Sequence, residues 1–265
     1  MLNTSPQAET LTQPNAFCRV QRFESLDSTN RYILDQARLG AKEGLVVVAD
    51  EQVKGRGRLQ RSWYSPKGRS LSASILFDNE RTISDAQILV KVVSLAMSSA
   101  LKALYVLKVG VKWPNDLEVE SKKLAGVLAE VVSYGPKTQI VVGIGVNLGQ
   151  SVEELAALNR PATSVALERP DLSYVSSSEL LDTFLSSVCT LYSVVRSEGG
   201  KRRITESYRD QCTTLGKRVE VRLPSGQVID GTAVDLGEDG ELIVDTSSER
   251  LLVSAGDVAH LNVHR

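Results

Sequence analysis

The stretch Gly55-Arg56-Gly57-Arg58-Leu59-Gln60-Arg61-Ser62-Trp63 decides how this chain is read. Three arginines and two glycines fall within seven residues, and the segment closes on one of only two tryptophans. It offers little to bury, so it reads as a loop. Glycine lets a backbone approach a partner closely or turn through positive φ. Guanidinium groups present fixed forks of donors that suit phosphate or carboxylate, and Trp63 adds a flat face for a ring. Alone, the loop suits an anionic, partly aromatic ligand such as a nucleotide; a solvated basic loop explains it equally well. Its flanks supply a frame. Leu45-Val46-Val47-Val48-Ala49 is a short β-branched run, expected to be a strand buried on both faces. Leu71, Ala73, Ile75 and Phe77 alternate as a return strand. A loop hung between two strands has a rigid mount.

Outward from this frame, residues 1–16 are polar with two prolines and are expected to be a flexible tail. Cys18–Leu26 reads as a strand. Asp27-Ser28-Thr29-Asn30 reads as a capping cluster for a helix to about Leu39, with Gly40 as its stop. Asp85 to about Leu104 is the longest helical pattern, capped by Ser84 or Asp85, and a strand near Val109–Lys112 follows. Ala125–Val132 and Gln139–Val146 are strands joined by a turn at Tyr134-Gly135-Pro136. Gly143-Ile144-Gly145-Val146-Asn147-Leu148-Gly149 is no dinucleotide fingerprint, because its third glycine falls one position late and no helix opens there. Residues 150–177 read mostly as loop, with helices near Glu179–Arg196 and Lys201–Asp210. Beyond Leu215, short alternating strands broken by Pro224-Ser225-Gly226 and Glu238-Asp239-Gly240 predict a small antiparallel barrel. A boundary is placed near residue 212.

Lys+Arg 31 against Asp+Glu 32 leaves a net charge of -1, without the basic excess of a general nucleic-acid or membrane-surface binder. Cys18, Cys189 and Cys212 are odd in number and widely spaced, against a disulfide framework or a zinc site. The only histidines, His260 and His264, stand at the end of the sequence, so histidine-based catalysis is not expected. No run of 18 or more apolar residues and no leader-like start are present, which points to a cytoplasmic setting.

Two further segments differ from core. Lys112-Trp113-Pro114-Asn115-Asp116-Leu117 presents a lysine, an amide and a carboxylate around a proline turn. Lys122-Lys123-Leu124-Ala125-Gly126 sets lysines just before a buried strand. Singly, a tight turn and a snorkelling lysine explain them. Together with the arginine loop, with Asp27-Ser28-Thr29-Asn30, Gln52 and Gly143-Ile144-Gly145-Val146-Asn147, they resemble the biotin–protein ligase family, in its order and spacing. Leu215-Gly216-Lys217-Arg218-Val219 and Ser254-Ala255-Gly256-Asp257-Val258 resemble its C-terminal domain.

The resemblance implies an α+β fold: a mixed or antiparallel sheet packed with helices, like a class II synthetase catalytic domain, over 17–212. An SH3-like β-barrel follows over 213–265. It also implies an ATP-dependent ligase that forms biotinyl-5′-AMP from biotin and Mg-ATP. The biotinyl group then passes to a lysine of a biotin carboxyl carrier domain. By resemblance, Ser28, Thr29, Asn30, Gln52, Gly55, Arg56, Gly57, Arg58, Lys123 and Gly126 bind biotin. Arg58, Arg61, Trp63, Lys112, Asn115, Lys123 and Asn147 hold ATP or the adenylate, with Trp63 as a lid and Asn147 at the adenine edge. Lys123, Arg58 and Asp116 are the catalytic candidates, and Asp116 is also a magnesium candidate. Fixed cations suit this chemistry, since carboxylate attack on the α-phosphate gathers negative charge.

The chain also departs from the pattern. Gln60 stands where the loop usually has a glycine, Lys54 where small residues are common, and Pro161-Ala162-Thr163-Ser164 lacks a tryptophan that some relatives carry. Two other functions share features of this sequence: a lipoate or octanoate ligase or transferase of the same fold, and a nucleic-acid module. About 20 residues precede the first strand, too few for a winged helix, so no DNA binding is expected. No membrane partner is expected either. A sheet edge in this fold can pair with its twin, which leaves a homodimer open.

Overall fold

The computed structural model describes residues 9–12, 17–79, 83–134, 137–158 and 160–261. The turn at 135–136 and His264 lie outside them. The first strands are β1 (Glu9–Thr12), β2 (Arg19–Leu26), β3 (Leu45–Gln52) and β4 (Ser70–Asn79), with helix α1 (Thr29–Arg38) between β2 and β3. Helix α2 (Ile83–Tyr105) leads to β5 (Gly110–Lys112), β6 (Asp116–Val119), β7 (Lys122–Tyr134) and β8 (Lys137–Asn147). Short helices α3 (Val152–Ala156) and α4 (Val165–Glu168) and longer α5 (Ser177–Val195) and α6 (Gly200–Asp210) follow. Strands β9 (Arg218–Arg222), β10 (Val228–Leu236), β11 (Leu242–Asp245), β12 (Arg250–Val253) and β13 (Asp257–His260) complete the described chain.

β1 to β8 form one mixed sheet in the order β1-β2-β3-β4-β8-β7-β6-β5. Only β2 and β3 run parallel; α1 is their crossover. β9 to β13 form an antiparallel sheet in the order β12-β11-β10-β9-β13. This is the α+β architecture with a small C-terminal β domain that the sequence predicted.

The reading of Leu45–Ala49 explains the layering. Val46 and Val48 face a core shared with α2, α5 and α6, while Leu45 and Val47 face a smaller one shared with Ile33, Leu34 and Ala37 of α1. A strand apolar on both sides needs cover on both sides. β4 and β8 split differently. Leu71, Ala73, Ile75 and Phe77 of β4, and Ile140, Val142, Ile144 and Val146 of β8, enter the large core. The alternate positions, Ser72, Ser74, Gly143 and Gly145, turn to the α1 side, because side chains alternate along a strand. That polar, glycine-bare strip is the floor of the candidate site.

The window Ala86–Tyr105 of α2 has mean hydropathy 1.6, enough to cross a membrane by length and composition, but 72% of it is buried inside the fold. It is the core helix, with Val92, Val93, Ala96, Met97, Ala100 and Leu101 at 0% exposure. Burying one such Val, Leu or Met contributes roughly 1.5–3 kcal/mol.

Several expectations need correction. The segment expected to be a flexible tail holds β1, paired antiparallel with β2. α2 begins at Ile83, so Ser84 and Asp85 are inside it rather than capping it. The Trp113–Asp116 turn is the tip of a hairpin, since β5 pairs with the unforeseen β6. Residues 150–177 hold α3 and α4, short helices capped by the Ser151 and Ser164 side chains.

Candidate functional site

The site is a cleft over the α1 side of the sheet, beneath the arginine loop. It gathers Ser28, Thr29, Asn30, Gln52, Arg56, Gly57, Arg58, Arg61, Trp63, Asn115, Asp116, Lys123 and Gly126 of the sequence-predicted residues. Its two ends differ in chemistry.

One end is neutral and cross-bonded. Ser28 occupies the N-cap position of α1 but its side chain makes no capping bond. Instead the Gln52 carboxamide takes over the helix start. Its Oε1 accepts from the Thr29 backbone N–H at 2.9 Å and from Thr29 Oγ1 at 3.1 Å. Its Nε2 donates to Ser72 Oγ at 3.2 Å. Ser74 Oγ lies 2.7 Å from Thr29 Oγ1 and 2.6 Å from Asn30 Oδ1. Asn30 Nδ2 donates to Glu130 Oε2 at 2.9 Å and to the Leu128 carbonyl at 3.2 Å. Glycine is required beside this network: a Cβ on Gly143 would meet Asn30 Oδ1 at 2.0 Å.

The other end is charged. The arginine loop is a self-paired hairpin: Trp63 N–H donates to Gly55 O at 2.9 Å, and Gly57 N–H to Arg61 O at 2.7 Å. Leu59 and Gln60 have φ of 53° and 58°, a region costly for side-chain-bearing residues. The glycine expected at position 60 would take that turn without strain. Each loop arginine, and Lys123 of β7 beneath it, has an internal partner. Arg56 pairs with Glu130 at 3.0 Å, Arg61 pairs with Asp257 of β13, and Lys123 pairs with Asp116. Arg58 Nη1 donates to Asn115 Oδ1 and to Gly256 O, both at 3.3 Å. Lys123 does not snorkel; its side chain is 15% exposed. Burial pulls its ammonium pKa down, and the Asp116 carboxylate opposes the shift. Burial likewise lowers Arg58, opposed by Asp257 and Asp116.

Trp63 joins the ends. Its indole lies on the sheet floor, where a Cβ on Gly145 would meet the ring at 2.4 Å. Lys123 Nζ and the Arg160 guanidinium lie 5.7 Å and 6.0 Å from its centroid, and its Nε1–H is buried with no acceptor among the described residues. About 70 Å3 of free space remains in the cleft, against roughly 300–1,000 Å3 for ligand pockets. The Trp63 ring takes up much of the cleft floor.

Three predicted residues stand outside the cleft lining. Gly55 is buried at the loop base, where a Cβ would strike Trp63 O at 2.4 Å. Lys112 sits on β5. Asn147 is buried, its Nδ2 donating to Thr163 O at 2.9 Å and its Oδ1 accepting from Gln150 at 3.3 Å. Its amide thus ties β8 to the segment before α4. Sequence reasoning missed Arg160, Glu130 and Asp257. The alternation of Ser72 and Ser74 with apolar neighbours was a readable sign of the polar floor.

Among the described residues no group of three or more His, Cys, Asp or Glu side chains could hold a metal, and the Asp116 carboxylate faces Lys123. Magnesium commonly binds one or two carboxylates together with substrate phosphates. The donors around Asp116 do not fit a resident metal centre.

The profile of the Biotin/lipoate A/B protein ligase family matches residues 22–147, and that of the Biotin protein ligase C terminal domain matches 214–261. A biotin–[acetyl-CoA-carboxylase] ligase of Mycobacterium tuberculosis is 30% identical over 88% of this chain and 86% of its own length. The bifunctional ligase/repressor of Escherichia coli is 40% identical over 51% of this chain, which spans 42% of that protein. The biotin protein ligase of Aquifex aeolicus in complex with biotin and ATP superposes with a TM-score of 0.77 at 26% identity. That superposition covers 91% of this chain and 97% of the other.

Proposed function

Because the chain belongs to the biotin–protein ligase family, we propose that its cleft activates biotin with ATP and passes the acyl group to a lysine of a biotin carboxyl carrier domain. The observation that carries this reading is the meeting, in one cleft, of a neutral hydrogen-bonding end with a cluster of four cations. Biotin is a neutral bicyclic ring with one acid. Its ureido group matches Ser28, Thr29 and Gln52, whose short side chains both donate and accept. Its carboxylate then lies toward Lys123 and Arg58.

In the first step a carboxylate oxygen attacks the α-phosphorus of Mg-ATP, and the bond to pyrophosphate breaks. Arg58, Arg61 and Lys123 offset the charge that gathers there, each charge-assisted contact contributing roughly 1.5–3 kcal/mol. Their present partners Asn115, Asp257 and Asp116 keep these cations oriented before the anion arrives. In the second step a neutral amine attacks the acyl carbon and AMP leaves. Asp116, released as Lys123 turns to the phosphate, can receive the proton. Trp63, lifted from the floor, covers the adenylate. We place this activity in the cytoplasm.

ATP–pyrophosphate exchange measured with biotin, lipoate and octanoate in turn is the test. Exchange with biotin alone is expected. Exchange with lipoate or octanoate but not biotin overturns the reading in favour of the sister activity.

A further inference from the structure

A second cavity, of about 210 Å3, opens on the seam between α2 and the C-terminal sheet. Ala86 and Val90 of α2, Trp113, Pro114, Ala129 of β7 and Ala255 line it, so its walls are mainly apolar. It shares Arg58, Asn115, Val127 and Leu128 with the reaction cleft. The two spaces stand back to back, and the Arg58 Nη1–Asn115 Oδ1 hydrogen bond of 3.3 Å is the partition between them. Gly256 O, 3.3 Å from the same Nη1, ties the partition to the C-terminal domain.

The cavity suits no second nucleotide. Its remaining cation, Lys91, already donates to Asp239 O at 2.8 Å, which leaves no free cation there for a triphosphate. An unbranched aliphatic chain suits it better. Apolar walls beside a fixed guanidinium also disfavour an ammonium and favour the neutral amine, the form that aminolysis needs and that lysine, with an ordinary pKa near 10.4, seldom adopts in water at pH 7.

We infer that this seam cavity is the channel by which the acceptor lysine reaches the acyl-adenylate, its methylene stem between Ala86, Val90, Trp113 and Ala255 and its amine at the Arg58–Asn115 partition. The inference rests on the ligase reading above. The partition also orders the reaction. While Arg58 bonds Asn115 the passage is shut; when Arg58 turns to the adenylate phosphate it opens, so the lysine enters after activation. The amine lone pair then forms the N–C bond, the acyl C–O bond to AMP breaks, AMP leaves with that electron pair, and the amine gives up one proton to the Asp116 carboxylate of the cleft.

Filling the channel from either wall tests this, with Ala86→Phe on α2 and Ala255→Phe on the exposed loop before β13. Biotin-dependent ATP–pyrophosphate exchange is expected to stay within about twofold of wild type in both, which also reports an intact fold. Single-turnover transfer from preformed biotinyl-AMP to a carrier domain should slow at least tenfold in kcat, while hydroxylamine, small enough to use the cleft, still captures the acyl group at the wild-type rate. Unchanged transfer in a variant that keeps exchange overturns the channel. So does a loss confined to KM for the carrier, which assigns the seam to surface docking. Loss of exchange in both variants also overturns it, assigning the seam to the nucleotide. Absence of exchange with biotin in the wild type instead sinks the ligase reading itself.

Discussion

The two ends of the cleft differ in what a ligand must undo. At the neutral end Gln52, Thr29, Ser74 and Asn30 already hold one another, and a ligand adds to a network that stays in place. At the charged end Arg56, Arg61 and Lys123 each hold an internal carboxylate, and an anionic ligand must exchange one partner for another. The first end is built for selection, since a site shaped for specific donors and acceptors rejects ligands that leave them unpaired. The second is built for turnover. Lys123, the buried member, does not stand alone in the low-dielectric part of the cleft, which would cost several kcal/mol, yet all three can be released to a better anion.

The largest expected effect is at the charged end. Lys123→Gln removes the cation and leaves Asp116 facing the phosphates, so biotin-dependent exchange should fall by about 100-fold or more, since about 1.4 kcal/mol is tenfold in rate. A loss below about threefold would mean that Lys123 serves only to neutralise Asp116. The neutral end should respond in binding rather than rate. Gly143→Ala drives a Cβ against Asn30 Oδ1 and should raise KM for biotin about tenfold with KM for ATP unchanged. Equal changes in both constants would show that the ends are not independent.

A smaller effect is expected from Asp257→Asn, which keeps the shape of the Arg61 partner and removes its charge. Arg61 is then free for ATP, but the loop loses its tie to β13. Release of biotinyl-AMP, followed by mass spectrometry, should quicken by a few fold, and slower release would reverse the assigned role. The smallest lies beyond both ends. Burial, reinforced by the charges of Lys112 and Lys217, lowers the His260 pKa to about 4. The folded ring stays neutral while the unfolded chain takes up a proton near pH 6.5. Its contribution is therefore complete above pH 6.5 and is lost as pH falls toward 4. The ring is partly exposed, so the effect is discounted for solvent screening. Between pH 7 and 4.5 the wild type should lose about 3 °C more in Tm than His260→Gln, with exchange at pH 7 unchanged in the variant.

Much of the frame was legible because its signals are local. The β-branched run of β3 and the alternation in β4 and the C-terminal strands named their elements directly. Short pieces were missed where a neighbour, rather than the segment, supplies the stability: β1 rests on β2, β6 on β5 and β7, and α3 and α4 on serine caps. In the cleft, residues marked by their own chemistry, such as Lys123, Arg58 and Gln52, were legible as side chains that would meet there. Glu130, Asp257 and Arg160 were not, since each matters only through a partner far along the chain. Asn147 was expected at the adenine edge; in the structure its buried amide bonds Thr163 O and Gln150 Nε2. The glycines beside it were informative for a different reason, the bare floor they leave under Trp63 and Asn30.

The tie between Arg58 and Gly256 spans 198 residues of sequence. At roughly 5–20 residues per second of synthesis, the arginine loop leaves the ribosome about 10–40 seconds before the strand that fastens it. Through that interval β2 to β8 and α1 can assemble the neutral end, while the charged end waits for β13. A nascent chain can thus recognise its small ligand before it can retain a reactive anhydride, and biosynthesis itself withholds the hazardous half of the chemistry until β13 has been made.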